Sequence, residues 1–276
     1  MSPDYAKLKE ISGKMRLDIL KMGLRCGDDG AHFGGCFSIV DLFAFLFTQK
    51  LQLPRFPRDE QRDRVVLSKG HASIALYAAM GQAGMLPHTY LDGPMLGENT
   101  ILYKHSKRNP DYGIEMSSGS LGQGLSFAVG IAIALKKKGN TQSQVYVFVG
   151  EGECQEGSIW EAAELAGHMQ LENLTVIVDK NGLQIDGDTK DIINLQNPDE
   201  QWKAFGFDTI VIDGHSFEEI NMAFSRFHKK PLAIIANTVK GKGVSFIENK
   251  VEWHQKYLDE HMYQIALQEL KNKYGL

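Results

Sequence analysis

Glu151, set between Gly150 and Gly152, and Asn181, thirty residues further on and followed by Gly182, place a carboxylate and a carboxamide on two glycine turns. Each turn closes an apolar run, Val145 to Val149 before the first and Leu174 to Val178 before the second. Runs of this length and β-branched content suit strands buried on both faces. Between them, Ser158 to Met169 has helical spacing. The stretch from Val145 to Gly187 thus predicts a βαβ unit with parallel strands and a right-handed crossover. Parallel strands end at one sheet edge, where open α/β folds bind ligands. Neighbouring strand ends lie about 5 Å apart, which brings the two side chains together as a hard-oxygen set suited to Mg²⁺ or Ca²⁺. The glycines let the backbone approach an anion closely, and the helix start supplies N–H donors. The pattern points to a metal-bridged phosphate or diphosphate. The same residues would equally serve as two plain connecting turns.

Other stretches offer chemistry of the same kind. GDDGAHFGGCFS puts His32 in a glycine-rich loop, where it can touch a ligand or merely sit in a helix-capping turn. SKGHAS runs from a strand into a helix, which sets His71 at a helix start on the ligand-binding edge. SSGSLGQG offers close backbone contact to a flat or anionic ligand, or a tight helix–helix contact through small residues. KGKG, from Lys240 to Gly243, is either a phosphate contact or a solvated basic loop. His105 lies in the weakly patterned segment from Met85 to Ile114, and His254 follows Trp253 in a loop. A long stretch of weak structure in a compact domain is often functional.

The elements that must position these residues alternate. Tyr5 to Arg25 predicts an amphipathic helix with Leu8, Ile11, Met15, Ile19 and Met22 on one face. Arg55 to Arg64 is mostly charged and expected to be exposed, and Val65 to Leu67 predicts a short strand. Leu125 to Lys138 predicts a helix apolar nearly all round, hence buried or covered by a partner. Thr209 to Ile212 and Leu232 to Thr238 predict strands, Phe217 to His228 and Tyr263 to Lys273 helices. The fold class is α/β, a parallel sheet covered by helices on both faces.

A chain of 276 residues can bury a large core, and no domain boundary is visible. The net charge of −4, with both signs interspersed, argues against a nucleic-acid surface. No apolar run approaches a membrane span and the N-terminus lacks a signal-peptide pattern. Cys26, Cys36 and Cys154 have no zinc spacing and fit a reducing, cytoplasmic setting better than a disulfide framework.

GEGECQEGSIWEAAELAGHMQLENLTVIVDKNGLQIDG resembles the thiamine-diphosphate motif of transketolases, which opens on Gly-Asp-Gly and ends in Asn about thirty residues on. LRCGDDGAHFGGCFSIVDLF, LSKGHAS, SSGSLGQGLSFAVGIAIA, IDGHS and TVKGKGVSFIEN resemble further family segments in the same order. The resemblance implies one thiamine-diphosphate-binding (PP-type) domain over residues 1–276. The family's pyrimidine-binding and C-terminal domains are expected on a partner chain, with two copies of each subunit in a heterotetramer.

By that resemblance Glu151, Asn181 and the carbonyl of Leu183 would bind Mg²⁺. Gly152 and Glu153 would lie at the diphosphate, and Gly119, Ser120 and Leu121 at the aminopyrimidine. His71 would lie near diphosphate and substrate. His32, His105 and His254 would line the sugar channel, His254 also touching the cofactor. Glu156 and Glu161 would sit near the dimer interface and couple its two sites. The implied reaction is two-carbon ketol transfer from a ketose to an aldehyde, with the chain inactive without its partner. Three residues depart from the family pattern. Glu151 replaces an Asp, moving the carboxylate by roughly 1.5 Å against the near-ideal octahedron Mg²⁺ demands; Ca²⁺ or Mn²⁺ would then compete. Ser106 stands where Pro is common and Gln255 where Gly is usual, which hints at a specialised ketose or acceptor. The competing readings are the α-subunit of a 2-oxoacid dehydrogenase and a non-catalytic relative with weakened metal binding.

Overall fold

A computed structural model of the chain describes residues 3–54, 56–95, 97 and 100–276. Its centre is a five-stranded, all-parallel sheet. The strands are β1 (Arg64–Leu67), β2 (Val145–Gly150), β3 (Leu174–Lys180), β4 (Asp208–Asp213) and β5 (Leu232–Asn237), in spatial order β1-β2-β3-β5-β4. β2 and β3 are neighbours in register from Val145 opposite Leu174 to Gly150 opposite Asp179. The βαβ unit expected from sequence is therefore present. All five C-terminal strand ends share one edge, so the loops after them meet there.

Alternation along the strands divides the core. Tyr146 and Phe148 face one layer, and Val145, Val147 and Val149 the other. The first layer holds α1 (Tyr5–Leu24), α2 (Phe33–Phe37), α3 (Val40–Phe45) and α4 (Ser73–Gln82). The second holds α5 (Gln123–Lys137) and α6 (Gly157–His168), with Trp202 buried beside them. Two further helices, α7 (Phe217–Ser225) and α8 (Glu260–Tyr274), return to the first layer. Asp4 caps α1 by accepting from the Lys7 N–H at 3.0 Å, and Asp259 caps α8 by accepting from Met262 at 2.7 Å.

Three expectations need correction. α5 is not buried all round: Leu125, Ala128, Val129, Ala132 and Leu135 form its buried stripe, while Phe127 is 40% exposed. An apolar sequence on every side of a helix does not say which sides its own chain covers. The charged segment before β1 is not wholly exposed either. Arg62 and Asp63 are buried, Arg62 paired with Glu115 at 2.5 Å and Asp63 accepting from the Gln52 and Gln144 N–H groups; Arg55 lies outside the described residues. Met85 to Ile114 contains a short helix at His88–Leu91 and a 3-10 turn at Pro110–Tyr112, with Leu96, Glu98 and Asn99 outside the described residues.

Candidate active site

The turns after β2 and β3 interlock. Glu151 donates its N–H to the Asp179 carbonyl at 3.1 Å, and its carboxylate accepts from the Gly182 N–H at 2.9 Å. Gly182 has φ +75°, which a side chain would oppose. The Asn181 amide donates to Asp179 at 2.9 Å while its oxygen accepts from the Leu183 N–H at 3.2 Å. The Leu183 carbonyl accepts from the Lys240 ammonium at 3.0 Å, so this oxygen already attracts a cation. Carboxylate, amide and carbonyl oxygens thus gather around one turn, a donor set that fits a hard divalent ion. No cluster of three or more His, Cys, Asp or Glu side chains suited to holding a metal occurs among the described residues. A cation here would need oxygens from an anionic ligand to complete its shell. Burial raises the Glu151 pKa, against the Gly182 hydrogen bond; a cation would act in the opposite sense.

A buried polar floor supports that turn. Asp179 forms an ion pair with Lys69, accepts from Ser38 at 2.7 Å, and accepts from the Thr238 hydroxyl. Burial works to raise the Asp179 pKa, but Lys69 and these donors outweigh it and hold the group ionised. Lys69 also donates to the Gly35 carbonyl at 3.1 Å. Glu153 is buried with its carboxylate turned to the protein. It accepts from the Gly122 N–H at 2.8 Å, the Gly150 N–H at 3.0 Å and the Ser68 hydroxyl. It therefore ties the β2 turn to the glycine-rich start of α5. Gly122 itself has φ +79° and no room for a Cβ, which would lie 2.3 Å from Ser158 Oγ. Sequence reasoning misses Lys69 and Asp179; the available signal for Lys69 is its place in the same SKGH loop as His71.

The four histidines converge from four separate loops. The His32 ring lies 5.7 Å from His71, 5.2 Å from His105 and 5.5 Å from His254 between centroids, and His71 lies 5.2 Å from His254. All four are held below the ordinary imidazole pKa, His32 to about 4 and His254 to about 3. Burial is the main cause; for His71 and His254 nearby lysine charges come next, and for His32 it is His105. The Lys240 ammonium sits 3.1 Å from His254 Nδ1, which fits a neutral ring accepting there. Lys240 is itself lowered to about 8 by burial and by Lys69. Gly35 lets the rings close in, since a Cβ there would lie 2.7 Å from His71 Cδ2.

The remaining predicted residues surround a cleft of about 160 Å³ whose lining includes Leu121, Gly152, Leu183 and Lys240. Gly119 has φ +145°, and Ser120 and Leu121 are exposed beside the cleft. Glu156 and Glu161 are exposed at the start of α6, on the side that carries Leu165. Ser106, one of the three departures, does not face the histidines' side with a free hydroxyl. It is buried, its N–H donates to Ser73 at 2.7 Å, and its hydroxyl lies 2.9 Å from Ser118. A proline could not make the first bond.

Known proteins share this arrangement. Residues 17–276 match the family described as transketolase, thiamine diphosphate binding domain. The 6-deoxy-6-sulfo-D-fructose transketolase subunit SqwG of Clostridium sp. (strain MSTE9) is 41% identical over 246 residues, 88% of this chain and 89% of that protein. The first of the two subunits of the apulose-4-phosphate transketolase of Actinobacillus succinogenes is 37% identical over 247 residues, 88% of this chain and 89% of that protein. The crystal structure of transketolase from Campylobacter jejuni superposes with a TM-score of 0.88 at 29% identity, covering 100% of this chain and 43% of that one.

Proposed function

This chain belongs to the transketolase family as an N-terminal, thiamine diphosphate-binding subunit, and from that premise we propose that it holds the diphosphate-and-metal half of a two-chain enzyme that passes a two-carbon ketol unit from a ketose to an aldehyde. The observation that carries the proposal is the meeting, at one sheet edge, of an oxygen-donor turn and four neutral imidazoles.

Glu151, Asn181 and the Leu183 carbonyl would hold Mg²⁺, or Ca²⁺ or Mn²⁺, together with diphosphate oxygens. The Gly152 N–H would meet a phosphate oxygen, while Gly119, Ser120 and Leu121 would present backbone groups to the aminopyrimidine. Glu153 would act by fixing those two loops to each other. Bound thiamine diphosphate supplies the nucleophilic carbon and the electron sink for breaking the C–C bond. His32, His71, His105 and His254 orient the sugar hydroxyls and offer a nearby acceptor for a hydroxyl proton. Lys240 would balance diphosphate charge.

A partner chain is supported by surface and size. The cleft of about 160 Å³ is smaller than the roughly 300–1,000 Å³ of ordinary ligand pockets. Leu121, Phe127, Leu165 and Ile185 stand exposed. A second subunit carrying the pyrimidine-binding domain would cover these surfaces, in a heterotetramer with Glu156 and Glu161 near the seam. Both of the two-chain relatives are named for ketoses bearing a sulfo or phosphate group; a ketose with an anionic tail is the substrate class we favour. Three buried free cysteines support a cytoplasmic setting.

Titration calorimetry of thiamine diphosphate with Mg²⁺, on this chain alone and with its partner, tests the proposal. Binding that appears or tightens with the partner, followed by ketol transfer, supports it. An intact complex that binds no cofactor sinks it.

A further inference from the structure

Asp29 ties together the loops that carry three of the four histidines. Its carbonyl accepts from the Lys104 ammonium and from the Gln255 amide, each at 3.1 Å. Its carboxylate pairs with the same ammonium, which also donates to the Gly30 carbonyl at 3.2 Å. Lys104 immediately precedes His105, and Gln255 immediately follows His254. Asp29 itself leads through Gly30 and Ala31 into His32.

The backbone enforces the same closeness independently. Ala31 and Lys256 exchange both of their N–H to carbonyl bonds, at 3.0 and 3.1 Å. Gly30 has φ +63°, and a Cβ there would lie 2.7 Å from the Lys256 carbonyl. The tie also sits on the solvent side of the histidines. The Asp29 side chain is 59% exposed and Gln255 is exposed, whereas His32 is 7% exposed. The three loops thus meet twice, once at the imidazoles and once at the mouth above them.

Resting on the ketol-transfer reading, we infer that Lys104, Asp29 and Gln255 are positioning residues that fix the spacing of His32, His105 and His254 at the channel mouth, and so decide which ketose donors fit. An exposed ion pair adds little to global stability, so the contribution is one of placement. A displacement of about 1 Å at groups that orient substrate can cost on the order of a hundredfold in rate.

The experiment uses the complex of this subunit with its partner, loaded with thiamine diphosphate and Mg²⁺. Lys104→Met, Lys104→Arg, Gln255→Gly and the Lys104→Met/Gln255→Gly double variant are compared with the parent on a ketopentose phosphate and a ketohexose phosphate. Histidine-ring NMR is recorded on each. The expected result is a change of at least about fivefold in the ratio of kcat/KM between the two donors for Lys104→Met and Gln255→Gly, within the range that misplaced orienting groups produce. The change should be carried mainly by KM, be larger in the double variant and be mostly restored by Lys104→Arg. The His105 and His254 ring resonances should shift with it. A donor ratio that stays the same within about twofold in every variant of an active complex, far below what misplacement costs, overturns the inference. If the parent complex transfers no ketol unit, that failure belongs to the ketol-transfer reading. The NMR then decides the tie alone, and unmoved His105 and His254 resonances overturn it. Should Lys104→Met fail to fold, Gln255→Gly, at an exposed position, decides the same question.

Discussion

Lys69 and Asp179, 110 residues apart in sequence, form an ion pair in the floor of the site with 1% and 0% of their side chains exposed. Asp179 accepts from Ser38, Thr238 and Asn181 as well. The pair therefore joins α3's approach, the SKGH loop, the metal turn and the loop after β5. Lys69→Met would leave that carboxylate buried without its cation, at a cost of about 3–5 kcal/mol. Because the folded pKa of Asp179 is lowered, the pair's contribution is full above the ordinary carboxylate range and fades as pH falls through the folded value. In the variant, burial would let Asp179 take up a proton, so the penalty should shrink from about pH 7 to about pH 5. Denaturant unfolding at both values checks this, and a loss under about 1 kcal/mol at neutral pH would contradict the stated role.

Glu151→Gln removes charge from the oxygen set and keeps its shape, including the acceptor for Gly182. The expected outcome is Mg²⁺-dependent cofactor affinity weakened by about tenfold or more, with the melting temperature of the ligand-free protein held or raised. The rise follows because burial already disfavours the ionised Glu151. Chelation should weaken cofactor binding in the parent and have a much smaller effect in the variant. Equal chelator sensitivity in both would remove Glu151 from the metal site.

The β2–α6–β3 unit is legible in the sequence because both strands are short, apolar and closed by glycine turns, so local pattern and tertiary burial agree. The histidines are legible only one at a time, each in a loop where a bland explanation serves as well. Their convergence depends on all five strands ending at one edge, which is a property of the sheet. Lys69 and Asp179 are harder still, since one reads as part of a basic turn and the other as the end of a strand. α5 misleads because its composition does not separate the Leu125 stripe, buried against the sheet, from Phe127, left outside.

Folding stability should decline below neutral pH on account of the histidines. His32 and His254 have folded pKa values of about 4 and about 3, below the ordinary value near 6.5. For such groups the unfolded chain takes up protons first, so stability is full above about pH 6.5 and is lost as pH falls toward the folded values. Unfolding free energy should drop by about 2 kcal/mol or more between about pH 7 and about pH 4.5. His254→Asn should flatten that slope. An unchanged slope in the variant would mean that other groups govern the acid limb.

Gly35→Ala tests whether the site depends on how closely α2 approaches the histidines. A Cβ at Gly35 would lie 2.7 Å from His71 Cδ2 and 2.8 Å from its Nε2, well inside contact distance. The backbone there cannot simply retreat, because the Gly35 carbonyl accepts from Lys69, which is fixed in turn by Asp179. The His71 ring is the part free to move, and it can only swing away from Gly35. Its spacing of 5.7 Å to His32 and 5.2 Å to His254 would change. The helix itself tolerates alanine better than glycine by about 1 kcal/mol, which offsets part of the strain. The expected outcome is a fall of roughly ten- to a hundredfold in kcat/KM of the complex with a change in melting temperature of only a few degrees. Full activity with an intact fold would show that His71 need not stand where the structure holds it.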